Sequence, residues 1–447
     1  MRSIAGGWGL VCGIAGALGI ACALPAAHAS AAEVAQDSRF ALYGQATYVE
    51  QETDGFDSPY RGPNSLTPSE GRETVDATLF LGARLWQGAE LWVNPEADQG
   101  SGLDDTLGLA GFSSGEAYKV GRNVPYFRLQ RALVRQTFDL GTDRSPSEAG
   151  LNQFASPVSA DRIVVTAGKL SVTDIFDTNR YAHDPRQDFL NWSVIDAGSF
   201  DYAADAWGYT VGAAVEGYAG PWAARVGFFD LSDVPNSPVL EPGADEHQIV
   251  LELEHRHELL GRPGKLALTA FESHGRMARL ADAIDYALAT GGPVDPVPVR
   301  HDRKRDGLSL DLEQQLTDGL GVFARAGDAG GNVESYELTD IDRTLSLGAA
   351  LDGRRWHRPG DTLGLAGVAN AISATRRRYL ADGGLGILVG DGQLPHAGHE
   401  DIVETYYSCA IVPALHVTLD YQWVGNPAFN RDRGPVSIIA VRVHAQL

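Results

Sequence analysis

Apolar and polar residues alternate with a period of two through most of this chain, the mark of strands whose two faces meet different surroundings. In the run 77–86, Ala77, Leu79, Leu81, Ala83 and Leu85 share one face; Thr78, Phe80, Gly82, Arg84 and Trp86 share the other. Leu91 and Val93 then oppose Glu90, Trp92, Asn94 and Glu96. Farther on, Leu308, Leu310 and Leu312 oppose Ser309, Asp311 and Glu313, and Leu320, Val322, Ala324 and Ala326 oppose Phe323 and Arg325. The pattern predicts about sixteen strands, roughly 40–49, 75–86, 89–94, 126–140, 162–170, 206–216, 222–230, 247–258, 265–272, 307–316, 320–327, 341–352, 362–371, 401–412, 416–424 and 435–447. A soluble sandwich turns the apolar face inward. A membrane barrel turns it out to lipid and leaves polar groups on water.

The connections favour the barrel. Short ones fall at Gln87-Gly88, 217–221, Thr317-Asp318-Gly319 and Pro413-Ala414-Leu415. Long ones span 50–74, 95–125, 171–205, 273–306 and 372–400. Short turns at one end and long loops at the other is the asymmetry of outer-membrane barrels. Segment 141–161 breaks this pattern, being long on the short-turn side. At the C-terminus, Ile439, Val441, Val443, Ala445 and Leu447 alternate with Ala440, Arg442, His444 and Gln446 to the last residue, as a closing strand would. An even count of about sixteen strands, with both ends on the short-turn side, leaves an aqueous lumen.

The N-terminus sets the compartment. Arg2 precedes a small-residue apolar stretch from Ile4 to Leu24, and Ala27-His28-Ala29 supplies an A-x-A cleavage site. Residues 1–29 are therefore expected to be a secretory signal peptide, with 30–447 as the mature domain. A lipoprotein reading at Cys22 meets Gly19 where an aliphatic residue is preferred. Cleavage removes Cys12 and Cys22 and leaves Cys409 alone, so no intrachain disulfide is available. No later stretch gives the roughly 18 apolar residues of a spanning helix. The net charge of −22 lends no support to a nucleic-acid partner.

Several blocks then carry a resemblance. Gly44-Gln45-Ala46-Thr47-Tyr48 and Ser58 to Leu66 come first, followed by Thr78 to Trp86 and Glu90 to Glu96. Gly108 to Phe112, Ala167 to Leu170, Asp174 to Asn179 and Asp201 to Asp205 continue the series. Glu404 to Tyr407, Asp420 to Trp423 and Asn426 to Pro435 complete it. In order and number these blocks resemble the carbohydrate-selective porin family, along nearly the whole mature chain. The resemblance implies a sixteen-stranded barrel in the outer membrane whose long loops fold inward. It also implies facilitated diffusion of monosaccharides such as glucose, without energy input or cofactor.

A sugar channel needs hydrogen-bond partners to replace lost water and flat apolar surfaces for the C–H face, with binding weak enough for release. Arg84, Glu96, Trp86 and Trp92 share the polar faces of neighbouring strands and are the first candidates for the constriction. The alternative places both tryptophans in an interfacial belt and leaves the charges to solvate the wall. Arg131 and Arg135 share one parity, while Arg128 and Gln130 take the other, so the inward face there stays open. Lys169 ends a strand and feeds a connection dense in Asp174, Asp177, Asn179, Asp184, Arg186 and Asn191, which suggests a hydrogen-bonded eyelet. Turn and capping work is the competing role for that set. Arg431, Asp432 and Arg433 are expected to hold the last long loop by ion pairs.

Enzyme motifs do not appear: there is no G-x-S-x-G, H-E-x-x-H or P-loop. Gly384 to Gly390 lacks the lysine of a nucleotide loop, and His255 with His257 lies at a strand end where polar residues are ordinary, so no metal is expected. The expected partners are small sugars in transit and outer-membrane lipid, with the barrel a monomer or homo-oligomer. The competing readings are a general or anion-preferring pore, using Arg84, Arg131 and Arg135, and an exported soluble all-β sugar-binding protein.

Overall fold

This computed structural model describes residues 38–447, so the expected leader lies outside the described residues. Sixteen antiparallel strands close into one barrel. The first four are β1 (Phe40–Thr53), β2 (Gly71–Trp86), β3 (Ala89–Gly100) and β4 (Arg122–Asp139). A small hairpin, β5 (Arg144–Ser147) and β6 (Ser156–Ser159), forms a sheet of its own. The wall resumes with β7 (Arg162–Leu170), β8 (Thr210–Ala219), β9 (Trp222–Asp230), β10 (His247–Leu259), β11 (Arg262–Met277) and β12 (His301–Gln315). It ends with β13 (Leu320–Ala329), β14 (Arg343–Asp352), β15 (Thr362–Ala371), β16 (Glu400–Val412), β17 (Leu415–Gly425) and β18 (Val436–Gln446).

β18 pairs with β1 from Gln446 opposite Gln45 to Ile438 opposite Thr53. Gly44 and Leu447 then exchange backbone bonds of 3.0 and 2.8 Å, so the last residue is also paired. Closure matters because an unpaired strand edge in lipid leaves backbone groups costing several kcal/mol each. The outward face is apolar and the inward face polar: Leu347 on β14 is 61% exposed, while Ser346 beside it is 1% exposed. This is the inverse of a soluble sandwich.

Turns at 87–88, 220–221, 260–261 and 413–414 are tight, and the long connections lie at the opposite rim. Loop 1 (54–70), loop 2 (101–121) and loop 3 (171–209) are the first three of these. Several strands run farther than the alternation predicts. β11 continues to Met277 and β12 begins at His301, so the connection expected at 273–306 spans only 278–300.

Two bulges re-aim side chains. Pro95 has no N–H to give to the ladder, and the β3–β4 register shifts between Asn94, opposite Arg131, and Pro95, opposite Leu129. The extra residue, Gln130, moves the inward parity by one. Arg128 faces inward above the bulge, and Arg131 and Arg135 face inward below it. A second shift follows Arg84 in the β2–β3 pair and brings Trp86 opposite Ala89.

The lumen is packed with loop. Wall carboxylates accept loop N–H groups and wall arginines donate to loop carbonyls, which satisfies backbone that would otherwise be buried unpaired. Glu400 on β16 accepts from Ala110, Gly111 and Ala428 at 3.0, 2.7 and 2.8 Å. Arg325 on β13 donates to Val194 and Ala182 at 2.7 and 2.9 Å. Arg442 on β18 donates to Pro185 and Asp188 at 2.5 and 2.8 Å. Phe176, Trp192, Phe200 and Tyr202 of loop 3 join wall residues such as Phe229 and Phe271 in one apolar cluster inside the barrel. The segment Gly384 to Gly390 acts in the same way. The N–H groups of Ile387, Leu388 and Val389 cradle Asp340 at 3.2, 2.7 and 3.2 Å, an anion nest filled by the protein's own carboxylate.

Candidate pore constriction

Two cavities inside the barrel meet at a shared lining residue. The outer one, about 500 Å³, lies under the long loops and is lined by Tyr118, Arg131, Arg186, Trp192 and Tyr209 among others. The inner one, about 1060 Å³, opens toward the short turns and is lined by Arg84, Glu90, Arg135, Phe154 and Tyr218 among others. Asp174 of loop 3 borders both. Arg131 grips it with two bonds of 2.7 and 2.6 Å, a forked geometry that fixes both side chains. The Arg131 guanidinium also lies 5.0 Å from the Tyr209 ring centroid.

Across the outer cavity Arg186 reaches three carboxylates. Its nitrogens lie 3.4 Å from Asp76, 3.7 Å from Glu96 and 3.1 Å from Glu116. Burial pulls this guanidinium down, but Glu116, Asp76 and Glu96 outweigh it and hold Arg186 well above its ordinary value. Glu96 is itself fixed by Thr78 at 2.5 Å and Gln130 at 2.9 Å. Nearby, Arg128 and Lys169 share Asp205 at 3.0 and 3.3 Å. Arg128 stacks on Trp207 at 3.4 Å.

Flat apolar surface comes from the half-buried Phe112 of loop 2, with the buried Trp192 of loop 3 backing it. Trp192 begins a short helix, Trp192–Ile195, capped by Asn191, whose side chain accepts from the Ser193 N–H. Glu404 on β16 accepts from the Leu190 and Asn191 N–H groups at 2.5 and 3.1 Å and so sets the height of that helix. Trp192 stacks on Phe112 of loop 2 with centroids 5.2 Å apart, and Tyr202 lies 6.5 Å from it. Asp196, just past the helix, accepts from the Tyr202 hydroxyl at 3.3 Å. Burial, then the negative charge of Asp177, pushes Asp196 up to about 7. The outer cavity thus offers a forked ion pair, a guanidinium among three carboxylates, and the aromatic face of Phe112.

The profile of the carbohydrate-selective porins, the OprB family, matches residues 64–447. The chain belongs to that family. Solved structures agree on the fold. OprB of Pseudomonas putida at high pH superposes with a TM-score of 0.69 at 15% identity, covering 91% of this chain and 94% of that one. The outer membrane channel DcaP of Acinetobacter baumannii gives 0.52 at 10% identity, covering 91% and 97%. No curated protein matches this chain. As a carbohydrate-selective porin it is a channel rather than an enzyme, and family and barrel together place it in the outer membrane.

The porin fold separates the sequence-predicted residues into groups. Arg131 lines the outer cavity beside Asp174, and Glu96 stands behind Arg186. Arg84 and Arg135 line the inner cavity, where both bind segment 140–161. Trp92 faces inward but is fully covered, its ring tilted against Phe154 with centroids 5.0 Å apart; Gly82 on β2 leaves the space its ring needs, since a Cβ there would come within 2.6 Å of it. Trp86 stands apart. The bulge after Arg84 puts it at the short-turn rim, 64% exposed, donating to Gln136 at 2.7 Å. Lys169 serves Asp205 rather than the open pore.

Asp177 and Asn179 are anchors in this structure. Asp177 pairs with Arg325 at 3.3 Å, and Asn179 donates to Asp311 at 2.7 Å, both behind the loop. Asp76, Glu116 and Trp192 line or support the site without having stood among the first candidates. Arg433 holds the last loop to Asp391 of the preceding long loop at 3.5 Å and to the Leu66 carbonyl at 2.7 Å, and Asp432 pairs with His396 at 2.7 Å. These pairs join loop to loop rather than loop to wall, and Arg431 has no ion pair among the described residues. His255 packs on Trp222 at 4.3 Å, and His257 meets Gln314 at 3.0 Å.

Proposed function

We propose that this porin passes small neutral sugars of the glucose type by facilitated diffusion, with no energy input or cofactor. The observation that carries the reading is the outer cavity, where Arg131–Asp174 and the Arg186 cluster meet the stacked pair Trp192 and Phe112. The Arg131–Asp174 pair and the Arg186 guanidinium among its three carboxylates donate and accept hydrogen bonds, and the Phe112 ring, backed by the buried Trp192, suits the C–H face of a pyranose. A site of this kind binds weakly and releases readily, as conduction requires. The chain reaches the membrane as an exported precursor that loses residues 1–29, and it works as a monomer or as a homo-oligomer of barrels.

Single-channel recording in planar bilayers tests the substrate. Glucose is expected to block the ion current in a concentration-dependent way, and phosphate is expected not to. The competing reading, an anion-preferring pore, draws on Arg84 and Arg135, whose guanidinium groups bind carbonyls rather than carboxylates. Block by phosphate with no response to glucose would establish that alternative and end the sugar reading.

A further inference from the structure

One connection on the short-turn side enters the lumen. Segment 140–161 is rooted where Arg144 meets Asp139 at 3.0 Å and the Ser159 N–H donates to the same carboxylate at 2.9 Å. Its tip is a tight turn. Gly150 and Gln153 exchange backbone bonds of 3.0 and 3.1 Å, and Asn152 takes a left-handed φ of 55° that asparagine tolerates. Two wall arginines hold the strap in place. Arg84 donates to the Ala155 carbonyl at 2.6 Å and lies 4.7 Å from the Phe154 ring centroid, while Arg135 donates to the Asn152 carbonyl at 2.7 Å. Phe154 is 3% exposed against Trp92.

Leu151 and Asn152 line the outer cavity; Gln153 and Phe154 line the inner one. The tip therefore stands at the boundary that Asp174 marks from loop 3. The Asn152 side-chain oxygen is buried there without a hydrogen-bond partner among the described residues.

We propose that segment 140–161 is an inner plug whose tip, Leu151 to Phe154, forms the short-turn wall of the constriction and sets the largest solute that passes. The pore is then narrowed from both ends, by loops 2 and 3 from one side and by this strap from the other. The proposal rests on the channel reading but not on the choice of sugar, because a wall restricts ions and polyols alike.

The test uses the full chain in planar bilayers and liposomes. Replacing residues 144–158 by three glycines is expected to raise KCl conductance several-fold and to admit disaccharides in swelling assays. Retained heat-modifiable gel mobility shows that the barrel has formed, and unchanged conductance in such a barrel overturns the plug. A second variant keeps the strap intact. L151C in a C409A background, treated with a bulky cationic methanethiosulfonate, is expected to lose at least half its conductance and to regain it with dithiothreitol. S145C, at the root of the strap, is expected to show no such loss. Failure of L151C to label, or labelling without block, overturns the proposal. If these results hold while glucose leaves the current untouched, the sugar reading falls and the plug stands.

Discussion

Arg131 on β4 and Asp174 in loop 3 join wall to loop through bonds of 2.7 and 2.6 Å, at the point where the two cavities meet. Neither charge is free while the pair is intact. D174N keeps the shape and releases the field of Arg131, so reversal potentials in a KCl gradient are expected to shift toward anion preference. R131Q is expected to shift them toward cations. Loss of a hydrogen bond to a charged group costs about 1.5–3 kcal/mol, so the half-blocking glucose concentration in R131Q is expected to rise roughly tenfold or more. Wild-type selectivity in both variants would place this pair off the ion path.

Trp192 and Phe112 bring the tips of loops 3 and 2 together by stacking at 5.2 Å. An aromatic contact of this kind is worth about 0.5–1.5 kcal/mol beyond its buried area. W192A is therefore expected to weaken glucose block by about 2- to 10-fold, with a smaller change in KCl conductance. W192F restores a flat ring and is expected to recover most of the affinity. A glucose titration that does not move in W192A would remove the aromatic face from the binding account.

Much of the wall could be read from the period of two, because lipid outside and water inside impose it residue by residue. That logic fails where a strand carries an extra residue. On β4, Arg128 and Arg131 have opposite parity in sequence, and only the bulge opposite Pro95 turns both inward. The bulge after Arg84 likewise moves Trp86 from the lumen parity to the rim. Loops carry no period at all. Asp177 and Asn179 look in sequence like any pore-lining pair, and the register of β12 and β13 brings Asp311 and Arg325 behind them instead. Trp192 meets Phe112 only because Glu404 and Asn191 fix the height of a short helix, a relation between distant segments that no local pattern carries.

Asp196 gives the outer cavity a titratable charge near neutrality, since burial and then Asp177 push it up to about 7. Below that pH the carboxyl is neutral, and above it the cavity gains a negative charge. Cation preference is thus expected to rise between about pH 6 and pH 8. D196N is expected to flatten that part of the profile. The stability sign is opposite: a raised carboxyl favours the folded state below its unfolded value, about 3.9, and that contribution is lost as pH rises through about 7. Reversal potentials taken across this range in both proteins check the assignment, and an identical slope in D196N would refute it.

Leu347 and Ser346 are neighbours on β14 with opposite fates, one 61% exposed on the outer face and the other 1% exposed toward the lumen. Arginine on the lipid face of a barrel costs roughly 2–4 kcal/mol near the midplane. L347R is accordingly expected to lower the temperature of the heat-modifiable transition and the folding yield into vesicles. L347V keeps the apolar surface and is expected to stay near wild type. Equal yields for the two variants would mean that this face does not meet lipid.

Arg325 shows what the inward anchors contribute. It sits on β13 next to Ser346 of β14, pairs with Asp177 at 3.3 Å, and donates to the carbonyls of Val194 and Ala182. Removing one partner of a buried ion pair costs about 3–5 kcal/mol, because the other charge stays buried and unpaired. R325A is thus expected to detach this side of loop 3 while the strand ladder stays closed. The readout is a noisier current of higher mean conductance, together with faster proteolysis within loop 3 in intact barrels. R325A/D177N removes both charges and is expected to recover part of the loss. If the double variant is no quieter than R325A, the loop is held by its carbonyl contacts and the ion pair is incidental.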